Sequence, residues 1–363
     1  MKPELNVENL RVVRKGNTLL DALNLKVGLG ELVAVLGPSG AGKSTLLRAI
    51  AGLQRPLGGT ISIDGENITH TPPGGRGAAM VMDRPALFEH MTVEENIAFA
   101  VNKELRDSTP KEQVQVALTM LSIRELAHRY PGELSMGQRQ KVSLARVLVR
   151  RPRVLLFDEP LAHVDAYTAA QLRDEILRVH HRMNCATLYV THDVKEAFSI
   201  ADRIIYMQEG RIIQDDLPQE IHDGPASIDI ARHLGATTLL SATADTKRLP
   251  SGEIIARTTV LGQTLTIVAA PTMPEGKNTP IVIVGYPDSV ALEPTEQAPA
   301  FKVNADIGQI LGNTYLGESY RLSVESELGS ISADISAGEL ERVTGDQVRI
   351  RLIEELLWAL PSL

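Results

Sequence analysis

Leu32-Val33-Ala34-Val35-Leu36 runs directly into Gly37-Pro38-Ser39-Gly40-Ala41-Gly42-Lys43-Ser44-Thr45, and that loop runs into Leu46-Leu47-Arg48-Ala49-Ile50-Ala51. The first five residues form an apolar run of strand length, and Ser44–Ala51 reads as a helix. The residues between them fit the spacing G-x-x-x-x-G-K-[ST]. Glycines let the backbone wrap so that successive N–H groups point inward, and the helix N-terminus adds positive dipole charge. A chain of phosphates fits such a cradle. Lys43 would neutralise β- and γ-phosphates, and the Ser44 hydroxyl would ligand Mg²⁺. A chance glycine-rich turn has no reason to sit between a strand and a helix.

Outward from this loop, the first part of the chain alternates strand-like and helix-like segments, the pattern of an α/β domain. Thr60–Ile63 is strand-like and is followed by the turn signal Asp64-Gly65. Between about 85 and 150 the pattern turns helical, over Val93–Val101, Lys111–Leu121 and Gly137–Val149. Val154–Phe157 is a continuous apolar run, as a parallel strand buried on both faces requires. It delivers Asp158 and Glu159 at its carboxyl end, where open α/β sheets bind ligands. Asp158 is read as holding Mg²⁺, directly or through water, and Glu159 as the general base that polarises an attacking water. Helix Ala166–Arg182, strand Thr187–Val190, helix Val194–Ala201 and a hairpin around Glu209-Gly210 follow. After about 235 the segments become short and β-rich (Ile254–Val260, Leu265–Ala269, Ile281–Gly285, Tyr320–Val324, Ile331–Ile335, Val348–Ile353), the signature of a small barrel or sandwich.

The chain has 363 residues, too many for one typical core of roughly 100–200 residues, so two domains are expected. Its net charge is −8 and unevenly placed: residues 1–240 hold 28 basic and 29 acidic side chains, and the remainder 9 and 16. Neither part carries a basic nucleic-acid footprint. The single cysteine, Cys185, excludes an internal disulfide framework and reads as a small core residue. Met1 to Leu20 has no basic segment followed by an apolar one, so no signal peptide is expected. No run of about 18 apolar residues exists, so any membrane role must come through a partner.

Leu134-Ser135-Met136-Gly137-Gln138 opens the helix running to Val149. With it, the chain resembles the nucleotide-binding subunits of ABC transporters, whose hallmark reads LSGGQ upstream of the acidic strand; Met136 replaces the first glycine. In that family the motif binds ATP held by the opposite subunit, and Ser135, Gly137 and Gln138 match the pattern. Ser135 also reads as a helix N-cap, which is compatible. Leu161-Ala162-His163-Val164-Asp165 resembles the D-loop, whose aspartate, here Asp165, communicates across the dimer. Thr191-His192-Asp193 resembles the switch in which the histidine, here His192, contacts the γ-phosphate. His163, His180 and His181 have no such support and are read as solvated.

The resemblance has departures. Counting back from Ala86–Asn96 places Asp83 where the family has its Q-loop glutamine. A carboxylate can still ligand Mg²⁺, but it adds negative charge beside phosphate and cannot donate a hydrogen bond when ionised. Arg14 lies nearest the place of the aromatic that stacks on adenine; it is read either as a guanidinium stacked on the base or as a surface charge. Beyond 235, Ile281–Leu292 and Ile310–Leu352 resemble the C-terminal TOBE barrel of importer ATPases of the maltose, polyamine and ferric-ion type, with Tyr286 where those often have arginine.

The expected architecture is an α/β P-loop ATPase domain over 1–235, with a helical insert over about 85–150, followed by a small all-β OB/TOBE-like domain over 236–363. The resemblance implies an ATP- and Mg²⁺-dependent ATPase that powers solute import as a head-to-tail dimer, peripheral on the cytoplasmic face of the inner membrane. Its implied partners are integral membrane permease subunits, a second ATPase subunit and, indirectly, an extracytoplasmic solute-binding protein, with no nucleic acid. Ala86–Met91 would face a permease helix, with Phe88 either the apolar anchor there or packed inside the insert. Two alternatives stand beside this. One is a degenerate regulatory subunit paired with a second ATPase. The other is a soluble ABC ATPase acting on nucleic acid or ribosomes, against which one P-loop, one cysteine and the lack of long heptads speak.

Overall fold

A computed structural model describes residues 5–101, 109–295, 306–336 and 345–362. The chain divides into two compact units after Pro218. The first contains β1 (Leu5–Arg14), β2 (Asn17–Val27), β3 (Leu32–Leu36), α1 (Lys43–Ala51), β4 (Gly58–Ile63), β5 (Glu66–Asn67), β6 (Ala78–Met82), α2 (Val93–Phe99), α3 (Pro110–Met120), α4 (Met136–Arg150), β7 (Val154–Asp158), α5 (Ala166–Met183), β8 (Ala186–Val190), α6 (Val194–Ile200), β9 (Arg203–Gln208) and β10 (Arg211–Asp216). β1, β2, β4 and β5 form an antiparallel sheet in the order β2-β1-β4-β5. The second sheet runs β10-β9-β3-β8-β7-β6, parallel except for β10.

The parallel sheet separates two cores, and β7 shows how. Every residue of β7 is buried. Because successive side chains leave a strand on opposite faces, Leu155 and Phe157 join the core built with Val93, Leu118, Val142 and Ile176 of the helices. Val154 and Leu156 join the core built with Leu46, Leu47 and Ile50 of α1 and with Leu5 and Ile61 of the antiparallel sheet. The uninterrupted apolar run in the sequence is therefore the consequence of covering both faces.

The second unit holds α7 (Pro218–Asp223) and α8 (Ile228–Leu234), then β11 (Thr238–Arg248), β12 (Ile254–Val260), β13 (Gln263–Ala269), β14 (Gly276–Gly285), β15 (Val290–Pro294), β16 (Ile307–Tyr315), β17 (Ser319–Ser326), β18 (Gly329–Ser336), β19 (Gln347–Leu352) and β20 (Leu357–Pro361). β11-β12-β13-β20-β14 close into a barrel, and β15-β19-β16-β17-β18 form a five-stranded sheet sharing one apolar core with it. The division at 218 falls earlier than the 235 read from the change to short β-rich segments and the 240 marked by the shift in charge. The reason is that the 218–235 stretch is bolted to the barrel: the Tyr286 hydroxyl donates to His222 O at 3.0 Å with the two rings stacked 4.0 Å apart, and Trp358 Nε1 donates to Pro225 O at 3.2 Å. Charge counting along the chain does not detect such attachments. Among the described residues, no helix is long and apolar enough to cross a membrane.

Candidate active site

Strand register brings the motifs to one edge. Met82 pairs with Asp158, Asp158 with Val190, and Val190 with Val35. The loops that leave these four strands therefore emerge side by side, carrying Asp83, Glu159, Thr191-His192 and Gly37–Thr45.

The loop after β3 needs its glycines. Gly37 has φ +141°, and a Cβ there would stand 2.0 Å from Met207 O; Gly42 has φ +100°, with Leu19 O 2.8 Å from the place of a Cβ. Neither position accepts a side chain without moving backbone. Lys43 is buried, and its Nζ donates to Gly37 O at 2.5 Å and Pro38 O at 3.0 Å. Burial lowers its pKa, against the opposing pull of Glu159 and Asp158. Pro38, Ser39 and Gly40 are exposed at the loop's tip, Ala41 is buried, and Thr45 lies in the first turn of α1.

Ser44 Oγ donates to Asp158 Oδ1 at 2.7 Å, joining the phosphate loop to the acidic strand. Burial raises the Asp158 pKa. The Ser44 hydrogen bond and the Arg48 guanidinium, 3.9 Å from Oδ2, pull the other way. Glu159 sits at φ +47°, a left-handed conformation that a non-glycine residue holds only under constraint. Its N–H donates to Val190 O at 2.9 Å, and its Oε2 lies 3.0 Å from His192 Nδ1. A ring nitrogen facing an ionised carboxylate is the donor of that pair, because the carboxylate only accepts.

Asp83 is about half exposed, its Oδ2 3.7 Å from His163 Nε2. Its backbone is fixed from α4: Gln140 Nε2 donates to Met82 O at 3.0 Å and Asp83 O at 3.2 Å. Gln140 went unnoticed in the sequence, although its place three residues after Gly137 on an otherwise apolar helix face was a signal. Ser135 caps α4, accepting from Gln138 N while Gln138 Oε1 accepts from Ser135 N. Met136 is half-buried, and Gly137 is buried against α5, where a Cβ would meet Thr168 Cγ2 at 2.5 Å. Asp165 caps α5 by accepting from Thr168 N at 3.0 Å. Arg14 is exposed at the end of β1, on the hairpin whose second strand passes Gly42 at Leu19 and Leu20.

One expectation needs revision. His180 is buried, not solvated: it lies one turn after Ile176 on the inner face of α5, with Nδ1 2.8 Å from Thr187 Oγ1, and burial lowers its pKa. His163 and His181 are exposed as expected, and His163 Nε2 stands 3.7 Å from Asp83 Oδ2. Phe88 is half-buried, edge-on to Phe99 at 4.7 Å and under the Arg146 guanidinium at 5.3 Å. Cys185 is buried as expected.

Comparisons with known proteins bear on this arrangement. Residues 20–162 match the family model described as ABC transporter. The spermidine/putrescine import ATP-binding protein PotA of Haemophilus influenzae is 34% identical over 325 residues, spanning 89% of this chain and 86% of that protein. The chain belongs to the ABC transporter family. It is an import ATP-binding subunit, an ATPase whose turnover powers solute entry. The Fe(3+) ions import ATP-binding protein FbpC of Escherichia coli O157:H7 is 41% identical over 65% of this chain and 69% of its own length. The solved cbiO1 from Clostridium perfringens, part of an ABC transporter complex, superposes with a TM-score of 0.56 at 29% identity, covering 64% of this chain and 94% of that one. An ATP-binding cassette solved as a post-hydrolysis dimer with ADP and Pi superposes with a TM-score of 0.54 at 26% identity, over 59% and 98%. The match to the Haemophilus influenzae protein extends well beyond residue 218, so the ABC importer ATPase has its α/β nucleotide domain and its all-β OB/TOBE-like unit in one chain.

Proposed function

We propose that two copies of this chain sandwich two ATP molecules head to tail on the cytoplasmic face of a membrane permease. The observation that carries the reading is the single sheet edge on which Lys43, Ser44, Asp158, Glu159 and His192 meet. Lys43 leaves the Gly37 and Pro38 carbonyls to neutralise β- and γ-phosphates, and the amides of Gly37–Thr45 cradle them. Arg14 lies at the adenine end. Glu159 polarises the attacking water, and His192 contacts the γ-phosphate. Ser135, Met136, Gly137 and Gln138 of one copy face the ATP of the other, with Asp165 between the two sites.

Ser44 Oγ and Asp158 Oδ1, 2.7 Å apart, are both oxygen donors, the type Mg²⁺ takes, and Mg²⁺ needs few protein ligands when phosphates and water supply the rest. These two residues fit the ion, with Asp83 within the same loop cluster. When bound, Mg²⁺ supplies charge neutralisation on the phosphate oxygens.

ATP contacts made from both copies stabilise the closed pair, and hydrolysis removes them, so the pair opens. A groove of about 280 Å³ lined by Met80, Ala86, Phe99, Arg146 and Arg150 receives a cytoplasmic helix of the permease. The acidic second unit pairs with its twin or receives a regulatory ligand. Relatives named for spermidine/putrescine, Fe(3+) and sulfate/thiosulfate import support a small ionic solute, handed over outside by a solute-binding protein.

Glu159→Gln tests the assignment. Loss of the base is expected to slow turnover by about 10²–10⁴-fold while ATP still locks the dimer, seen by sizing chromatography. Wild-type turnover in the purified variant rejects Glu159 as the base.

A further inference from the structure

Glu196 lies one turn after His192, half-buried in α6. Its carboxylate accepts from the hydroxyl of Tyr189, which is fully buried in β8, and from Thr191 Oγ1 at 2.5 Å. Thr191 Oγ1 accepts the Asp193 N–H at 3.0 Å, and Asp193 Oδ1 accepts the Glu196 N–H at 3.1 Å. These bonds close a ring through the residues on both sides of His192. The His192 side chain itself is 65% exposed, and its bond to Glu159 is 3.0 Å. Packing does not fix an imidazole in that position, so its direction depends on how firmly Thr191 and Asp193 are held. Glu196 also lines a cleft of about 340 Å³ together with Glu159, His192 and Arg173, so the ring stands directly against the catalytic edge.

We infer that Glu196, with Tyr189, is a positioning residue: it clamps the Thr191–Asp193 loop and so aims His192 at the γ-phosphate and at Glu159. The inference rests on the role of His192 proposed above. Burial and the neighbouring Glu196 carboxylate hold the Tyr189 phenol far above its usual pKa, so it stays a donor at any working pH. Removing the carboxylate leaves two buried hydroxyls to find other partners, and the loop slackens. A displacement of about 1 Å at a reacting group costs about 100-fold in rate. The phosphate loop hangs from β3 and α1, not from this ring, so ATP binding is spared.

The test measures ATP turnover by the full chain with Mg²⁺ for Glu196→Ala, Glu196→Gln, Tyr189→Phe and His192→Ala, and for Glu196→Ala combined with His192→Ala. Glu196→Ala is expected to lose about tenfold or more in kcat, with KM for ATP within about twofold. Glutamine keeps one acceptor and offers an amide to the other hydroxyl, so Glu196→Gln restores most of the loss. In the His192→Ala background, Glu196→Ala adds nothing, since both act through the same group. If Glu196→Ala does not fold, Tyr189→Phe, which removes one hydroxyl, is judged by the same kcat–KM split and the same background. Wild-type kcat in the Glu196 and Tyr189 variants beside a slow His192→Ala overturns this inference alone, as does a loss that multiplies with that of His192→Ala. Wild-type kcat in His192→Ala instead rejects the proposed role of His192 itself.

Discussion

Replacing Arg76 asks whether the helix carrying Lys43 and Ser44 is held from its far end. Arg76 is 2% exposed, and its guanidinium meets four backbone carbonyls: Nε donates to Thr71 O at 2.7 Å, Nη1 to Ala49 O at 2.8 Å and Ile50 O at 3.0 Å, and Nη2 to Thr69 O at 2.9 Å. Ala49 and Ile50 lie in the last turn of α1, where carbonyls lack helical partners and the dipole end is negative. Gly52 makes the approach feasible, since a Cβ there would lie 2.5 Å from Nε. Four charge-assisted bonds at about 1.5 kcal/mol each contribute about 6 kcal/mol. Dehydration of the guanidinium, which also lowers its pKa, takes back several kcal/mol. Arg76→Met is therefore expected to destabilise the first unit by about 3 kcal/mol. With a urea slope of about 2 kcal/mol/M, the midpoint falls by about 1.5 M. Circular dichroism follows the long helices of the first unit, while fluorescence of the single tryptophan, Trp358, reports on the second. Arg76→Lys should lose more than half as much, because one ammonium cannot span four carbonyls in different directions. A shift below about 0.5 M for Arg76→Met, far under the slope-scaled value, refutes the clamp.

Two further substitutions act on the carboxylates of the edge. Burial raises the Asp158 pKa above the ordinary 3.8, so ionising this group costs the folded state stability. That cost is absent below the unfolded value, grows as pH rises through the folded value and is complete at neutral pH. Asp158→Asn is accordingly expected to raise the thermal midpoint of the nucleotide-free chain at pH 7 and to leave it unchanged near pH 3; calorimetry that finds no gain at pH 7 contradicts the assignment. Asp83→Gln removes one negative charge beside Asp158, and ATPase activity and transport are expected to stay the same or rise. A collapse of transport in reconstituted vesicles assigns Asp83 a role of its own.

The parallel sheet and the nucleotide loop were legible because both obey local rules. Glycines at 37 and 42 are demanded by backbone that tolerates no side chain, and the apolar run at 154–157 by burial on both faces. Of the antiparallel sheet only β4 was legible, at Thr60–Ile63. β1 and β2 are joined across register shifts, and positive-φ residues at Asn9 and Ala22 interrupt their alternation. His180 failed for a related reason: periodicity on α5 puts it on the inner face, but the partner that makes burial affordable, Thr187, lies on the next strand. Glu196 was not singled out in the sequence. Its backbone N–H donates to Asp193 Oδ1 at the start of α6, while its side chain turns to Tyr189 and Thr191, a choice set by strand β8 rather than by spacing.

Asp83 shows what the structure adds to a motif that departs from its family. From sequence, a carboxylate at a glutamine position adds negative charge beside phosphate and donates no hydrogen bond when ionised; a misplaced loop would be a separate fault. The loop's placement does not depend on the side chain at 83. Gln140 grips the carbonyls of Met82 and Asp83, and Met82 is paired to Asp158 through the strand ladder, so any residue at 83 leaves the backbone at the same point. What differs is one negative charge, which is felt at Asp158 in the direction that makes a second carboxylate harder to ionise. A doubly charged cation at Ser44 and Asp158 would reverse that penalty into attraction. The effect of Asp83→Gln on turnover should accordingly shrink as Mg²⁺ is raised to saturation, whereas a misplaced loop would leave the two enzymes different at every Mg²⁺ concentration.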